Sequence, residues 1–411
     1  MSSSSIQQRP TASRVNAVTR PADDLGEDLA ASCPISAGNV AFLHGGDGLI
    51  GWGVHAGIRV TGPDAAARIG EWFAGVIAGI DHLDEVGLPG SGPVAFCSLG
   101  FDPRDESVAV VPAVLVGRRD GVTFRTVIGA PQLRTPEPIA GPGQVTYADA
   151  GLSVTGFTTA VAAATARIRA GELAKVVLAH DLHATTQYPV DERFLLRRLM
   201  SDYPTCWTYV VDGLIGASPE MLIRRRGTAV SSRVLAGTAW PEHAEESVVS
   251  QLLGSHKDLD EHEYAVASVA RSLDPVTTTL RVPESPSPLV LSNLTHLATD
   301  VTGELADPAP TALQLAARLH PTAAVGGTPT DLAMQVIREL EPTRRGRYAG
   351  PVGWMDASGD GEFAIALRCA EVSGTSVRLV AGCGIVAESD PETEAREAQV
   401  KMIPVRDALE G

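Results

Sequence analysis

The chain has 411 residues, 44% hydrophobic and 20% charged, enough to bury a large core, and no apolar run in it is long enough to span a bilayer. Its formal net charge of −16 argues against nucleic acid as a partner, because binding a polyanion needs a basic footprint. It also means that an anionic small molecule can bind only where Lys, Arg or a metal cation is locally concentrated.

The first twenty residues, "MSSSSIQQRPTASRVNAVTR", are polar and lack an apolar core behind a charged start. They read as a disordered tail, running to about residue 30, and not as a signal peptide. From about residue 36 to 150, short apolar stretches such as "AFLHGGDGLIGWGVHAGIRV" alternate with Gly and Pro, which predicts strands joined by tight turns. "GDGLIG" matches the GxGxxG fingerprint in form, but strand-like "WGVHAGIRV" follows where a helix should open, so it reads as a turn. "DAAARIGEWFAGVIAGI" has helical spacing.

Thr158–Ala170 is predicted to be an amphipathic helix stopped by Gly171, with "KVVLAHDLHA" following as a strand. Next come a helix, "VDERFLLRRLMSDY", two strands within "WTYVVDGLIGASPEMLIRRRG", and a long helical segment, "EESVVSQLLGSHKDLDEHEYAVASVARSL". A Pro/Ser-rich connector leads to a strand pair around "LTHLATDVTGEL", the loop "HPTAAVGGTP" and the helix "TDLAMQVIREL". Strands "GPVGWMDA", "GEFAIALRCAEV" and "VRLVAGCGIV" precede an acidic terminal helix. Strands and helices in mixed order, with hairpin-like strand pairs, predict an α+β fold and not a Rossmann-type alternation.

Several residues along this path invite chemistry. If the acidic helix starts near Pro391, Glu394 and Glu397 share a face, and "KDLDEHE" repeats the spacing with Asp258 and Glu261. Two such pairs either face water or together supply hard oxygen ligands for Mg²⁺. Lys175 opens one apolar strand and Arg368 sits inside another; each points outward at an edge or is buried, as a base and as a carboxylate-binding fork respectively. Glu220 follows a proline turn, where a carboxyl can face a cleft and keep its proton. His296 and His320 read as core or loop histidines, no histidine pair has zinc spacing, and "GASPE" lacks a nucleophile elbow. Cys33, Cys97, Cys206, Cys369 and Cys383 are scattered without CxxC spacing, which reads as reduced thiols in the cytoplasm.

Taken in order, "GELAKVVLAH", "GASPEML", "LAGTA", "KDLDEHE", "THLATDVTGEL", "LHPTAAVGGTP", "RRGRYAGPVGW", "GEFAIALRCA" and "AGCGIVAESDPETEAREAQVK" resemble the chorismate-utilising enzymes, over about residues 155 to 405. The resemblance implies one large α+β domain over residues 31–411, with antiparallel sheets packed together and helices outside. It implies Lys175 as the base that activates water for attack at C2 of chorismate, and Glu220 as the acid that protonates the departing C4 hydroxyl. Glu261, Glu394 and Glu397, with Asp258 nearby, are implied as a Mg²⁺ site. Arg368 and Tyr348, helped by backbone amides around Gly382 and Gly384, are implied as a clamp on the enolpyruvyl carboxylate. Lys401 and His296 would line the same pocket.

Within that family Lys175 marks the water-using branch, and Ala236 stands where aminodeoxychorismate synthases carry a nucleophilic lysine. Ala324 fits enzymes that stop at isochorismate, where salicylate synthases tend to have Thr. The expected activity is therefore Mg²⁺-dependent conversion of chorismate to isochorismate, for menaquinone or siderophore biosynthesis. The protein is expected to be a cytoplasmic monomer without a glutaminase subunit; salicylate synthesis and an inactive cation-binding relative are the alternatives. Two positions depart from the family pattern: His180, where Arg is usual, and Trp240, near a position that is often basic.

Overall fold

The computed structural model describes residues 14–22, 28–131, 136–239, 245–290 and 295–411; Trp240 lies outside them. The strand Val15–Pro21 corrects the expectation of a tail to residue 30. Its alternate residues Ala17 and Thr19 are buried, and Thr19 Oγ1 lies 2.8 Å from Thr126 Oγ1, so the period-two pattern outweighs the polar surroundings. This strand runs parallel to Ile80–Asp84, whereas strand pairing is otherwise antiparallel among the described residues.

Ser107–Arg119 is the junction of the architecture. Asp47–Val60 pairs along one of its edges, while the other edge is divided between Val122–Ile128 and Val94–Ser98. From Asp47–Val60 one wing continues through Asn39–His44, Trp207–Val211, Leu214–Ser218, Cys369–Ser373, Ser376–Ile385 and Lys175–Thr186. From Val94–Ser98 a second wing continues through Pro351–Asp356, Gly361–Ile365, Met221–Arg226, Ala229–Ala239 and Thr295–Leu305.

The first wing is apolar on both faces, and period two sorts its residues between two cores. Val40, Phe42, Tyr209 and Leu214 join Phe96, Ile223, Trp354 and Phe363 of the second wing in a core between the sheets. Ala41, Leu43, Val210, Ile215 and Leu379 turn the other way, onto Leu195, Leu199, Met402, Val405 and Leu409.

The helices lie outside the sheets: α1 (Ala65–Ala78), α2 (Val154–Arg169), α3 (Glu192–Asp202), α4 (Glu245–Gly254), α5 (His256–Leu273), α6 (Ala312–Leu319), α7 (Thr330–Leu340) and α8 (Pro391–Glu410). The α+β arrangement of packed antiparallel sheets is as expected. Helix α2 begins a turn earlier than its apolar spacing suggests, because the Ser153 side chain accepts from Gly156 N at 3.2 Å and caps it there. The long helical segment is two helices; Ser255 breaks it by capping α5 through Asp258 N. No described helix is long and apolar enough to cross a membrane. All five cysteines are buried and unbridged.

Candidate active site

A cavity of about 60 Å³ opens where both wings meet α5 and α8, and it gathers residues far apart in the chain. Of the residues expected at the site, Glu220, Glu261, His296, Ala324, Tyr348, Arg368, Gly382, Gly384 and Lys401 line it. Lys175, Asp258, Glu394 and Glu397 do not; they stand behind the wall.

Lys175 begins the strand Lys175–Thr186 with its side chain fully buried, and Nζ lies 3.1 Å from Glu261 Oε1, off the line of a hydrogen bond. Glu261 projects from α5 and lines the cavity, whereas Lys175 does not. Gly384 makes the approach possible: a Cβ there would collide with Glu261 Oε1 and come within 2.9 Å of Lys175 Cε. Gly382, two residues earlier on the same strand, would likewise strike Leu178 O.

Glu220 sits between the strands Leu214–Ser218 and Met221–Arg226, turned inward by Pro219. Its carboxylate accepts one long bond, from Leu235 N at 3.4 Å. Burial therefore dominates and pushes its pKa up to about 8, against the pull of that amide and of Lys175, Arg368 and Lys401. At neutral pH this carboxyl keeps its proton.

Arg368 does not lie inside a strand, as its apolar neighbours suggest. It occupies the break between Gly361–Ile365 and Cys369–Ser373 at φ 49°, and Ala349, whose N–H donates to Ala366 O just before it, has φ 62°. Two non-glycine residues in left-handed backbone on one cavity wall are strain of the kind that surrounding structure must enforce. Arg368 Nη2 lies 3.1 Å from His296 Nε2. Since a guanidinium can only donate, His296 accepts there and its Nδ1 donates to Gly237 O at 3.1 Å. Burial, Arg368 and Lys401 lower the His296 pKa well below its usual value, so the ring is neutral. Tyr348 is buried beside them, its phenol pKa raised by that burial.

The terminal helix is built as its spacing suggests. Asp390 caps α8 by accepting from Thr393 N at 2.9 Å, and Lys401 Nζ lies 2.5 Å from Glu397 Oε1 while also donating to Gly382 O at 3.2 Å. Burial raises the Glu397 pKa; Lys401 opposes this, while Glu394 and Glu261 add to it. The three carboxylates thus feel one another, yet no three His, Cys, Asp or Glu side chains converge into a metal-ligating group among the described residues. Glu261 and Glu397 are drawn instead toward Lys175 and Lys401. Asp258, a turn before Glu261, packs by its Cβ close to Gly237.

His180, one of the two departures, lies on the opposite side of its strand from Val177, which lines the cavity. Its ring centroid is 5.0 Å from that of Phe157 in α2, and its Nε2 is 3.2 Å from Gln399 Nε2 in α8. It is a packing residue. Pro219, Leu235, Gly237, Ala349 and Cys383 line the cavity without having been expected there. So does Val325, whose carbonyl is held by the buried Arg345. Nothing in "PTRRGRY" distinguishes Arg345 from the arginines beside it, since burial is a tertiary property.

Known proteins resemble this chain in sequence and in fold. Over 250 residues, 57% of this chain and 63% of the other, the sequence is 44% identical to isochorismate synthase DhbC of Bacillus subtilis, so the match spans less than two thirds of that relative. The structure resembles that of a putative 2,3-dihydroxybenzoate-specific isochorismate synthase, DhbC from Bacillus anthracis, with TM-score 0.78, 30% identity, and coverage of 93% of this chain and 99% of that one. It also resembles MenF, the menaquinone-specific isochorismate synthase from Escherichia coli, with TM-score 0.79, 26% identity, and coverage of 98% and 96%. The family described as chorismate binding enzyme matches residues 132–410, well over half of the sequence, and this chain belongs to it.

Proposed function

We propose that this protein converts chorismate to isochorismate by adding water at C2 and releasing the C4 hydroxyl. The observation that carries the reading is a buried Glu220 in the cavity wall that holds its proton to about pH 8, with Lys175 Nζ 3.1 Å from Glu261 of the same wall. Lys175 takes the proton of the attacking water, and Glu220 gives its own to the departing hydroxyl. Arg368, its fork oriented by His296, meets a substrate carboxylate beside Tyr348.

Charge balance supports a divalent cation. In and behind the cavity wall, Lys175, Arg368 and Lys401 are matched in number by Glu261, Glu394 and Glu397 once Glu220 is protonated, which leaves nothing to offset a dicarboxylate. The carboxylate oxygens of Glu261, Glu394 and Glu397 are of the kind Mg²⁺ takes and would hold it once turned from Lys175 and Lys401 toward one point; the ion would supply positive charge for the ring carboxylate. The product would serve menaquinone or siderophore biosynthesis; of the two structural relatives, one is named menaquinone-specific and the other 2,3-dihydroxybenzoate-specific.

The test is incubation with chorismate, first with Mg²⁺ and then with EDTA, with products separated by chromatography and pyruvate assayed. Mg²⁺-dependent isochorismate without pyruvate is the expected result. Salicylate with equal pyruvate would move the protein to the salicylate branch, and unchanged chorismate would overturn the reading.

A further inference from the structure

The strand that carries Lys175 and the loop that carries Ala324 meet over two paired residues, Val176 with Gly327 and Lys175 with Thr328, flanked by the bonds from Val177 N to Gly326 O and from Ala174 N to Thr328 O. Both segments line the cavity, through Val177 on one side and Ala324 and Val325 on the other. Behind this short seam is a buried guanidinium. Arg345 Nη2 donates to Val177 O at 2.8 Å and Nη1 to Val325 O at 2.9 Å, so one side chain ties both walls.

Glu341, just past the end of α7, completes the device. Arg345 Nε and Nη2 grip its two carboxylate oxygens at 2.9 and 2.6 Å, and Glu341 Oε1 also accepts from Ala179 N at 2.9 Å. The guanidinium lies 4.2 Å from the centroid of Phe101, which fixes its plane. Arg345 N–H groups thus meet the strand, the loop and the carboxylate at once, a geometry open to a planar fork and closed to an ammonium.

We propose that Arg345, held by Glu341, is a positioning residue that sets the spacing between the Lys175 strand and the Ala324–Val325 wall, and through it the fit of substrate; this rests on the proposed reaction. Arg345 does not line the cavity. It acts through Val177 O and Val325 O.

Two variants test it: Arg345→Lys, which keeps charge but loses the fork, and Glu341→Gln, which keeps an acceptor for Ala179 N and weakens the grip. Hydrogen exchange of the full chain by mass spectrometry is read alongside KM and kcat for chorismate. The expected result for Arg345→Lys is faster exchange confined to residues 176–179 and 322–327, with KM raised at least tenfold; Glu341→Gln shows the same pattern with a smaller shift. Loss of folded protein lowers apparent kcat without moving KM, so the KM shift separates positioning from mere stability. Unchanged exchange and KM in both variants, or faster exchange spread across the molecule, would overturn the proposal. If Arg345→Lys does not fold, Glu341→Gln decides. If the wild-type protein leaves chorismate unchanged, the proposed reaction fails, and the exchange pattern alone then judges whether Arg345 holds the two walls together.

Discussion

Glu261 Oε1 stands 3.1 Å from Lys175 Nζ, a contact that exists only because residue 384 has no side chain. Gly384→Ala places a methyl group against both partners and forces them apart. Its backbone is in an ordinary region, so the effect on folding should be small while turnover of chorismate falls about 100-fold, the typical cost of misplacing a reacting group by about 1 Å. Steady-state kinetics beside a thermal melt would check this; unaltered turnover would mean the pair is incidental.

Glu220 ties activity and stability to pH in the same sense: both fall as pH rises. Its folded pKa of about 8 lies above the ordinary 4.5, so the protonated form is the one the fold favours. Its contribution to stability is fully present below about pH 4.5 and is lost as pH rises to about 8, a loss on the order of a few kcal/mol. Glu220→Gln is neutral throughout, so the variant should melt higher than wild type at pH 8 and show little gain at pH 5. Its kcat should fall by about 100- to 10,000-fold, because an amide cannot hand over the proton. Wild-type kcat should in turn decline above about pH 8. A variant that melts lower at pH 8 would contradict the buried-acid assignment.

Glu394 and Glu397 raise a prediction about Mg²⁺. Each change to Gln should raise the Mg²⁺ concentration needed for half-maximal activity at least tenfold. Titration calorimetry of the ion without substrate should show the same weakening, independent of turnover. In Glu397→Gln the ion pair with Lys401 is also lost, so this variant should lose about 1–3 kcal/mol of stability. Equal Mg²⁺ affinity in wild type and both variants would remove these residues from the ligand set.

His180 should matter for folding and not for substrate. Burial keeps its ring neutral against Phe157 and Gln399. His180→Ala should cost about 1–3 kcal/mol by denaturant titration and leave KM within about threefold of wild type. A KM increase beyond tenfold would restore the idea that the departure from Arg weakens binding.

Much of this site was legible before any coordinates, for a physical reason. Residues such as Lys175 and Arg368 put charge where the surroundings are apolar, and a charge that stays there needs a function or a partner. The conformation of Arg368 was not legible, because its left-handed φ belongs to a break between strands that the run "AIALRCA" conceals. Nor could spacing reveal that Lys175, Glu394 and Glu397 stand behind the lining, since helical and strand periods give a face but not a depth. Val15–Pro21 was hidden by its setting: seven residues of alternating pattern inside a Ser- and Arg-rich stretch look like tail until the partners at Ile80–Asp84 and Val122–Ile128 are known.

The two wings hanging from Ser107–Arg119 have a consequence for where this protein can be cut. The family match starts at residue 132, but Trp207–Val211 and Pro351–Asp356, both inside it, each owe a neighbouring strand to the earlier chain, Asn39–His44 and Val94–Ser98. A fragment beginning at 132 would carry two long apolar edges with unsatisfied backbone groups, a template for aggregation. The part of the sequence that matches the family therefore leans on the chain before it: the segment outside the match supplies the strands that close the molecule against itself.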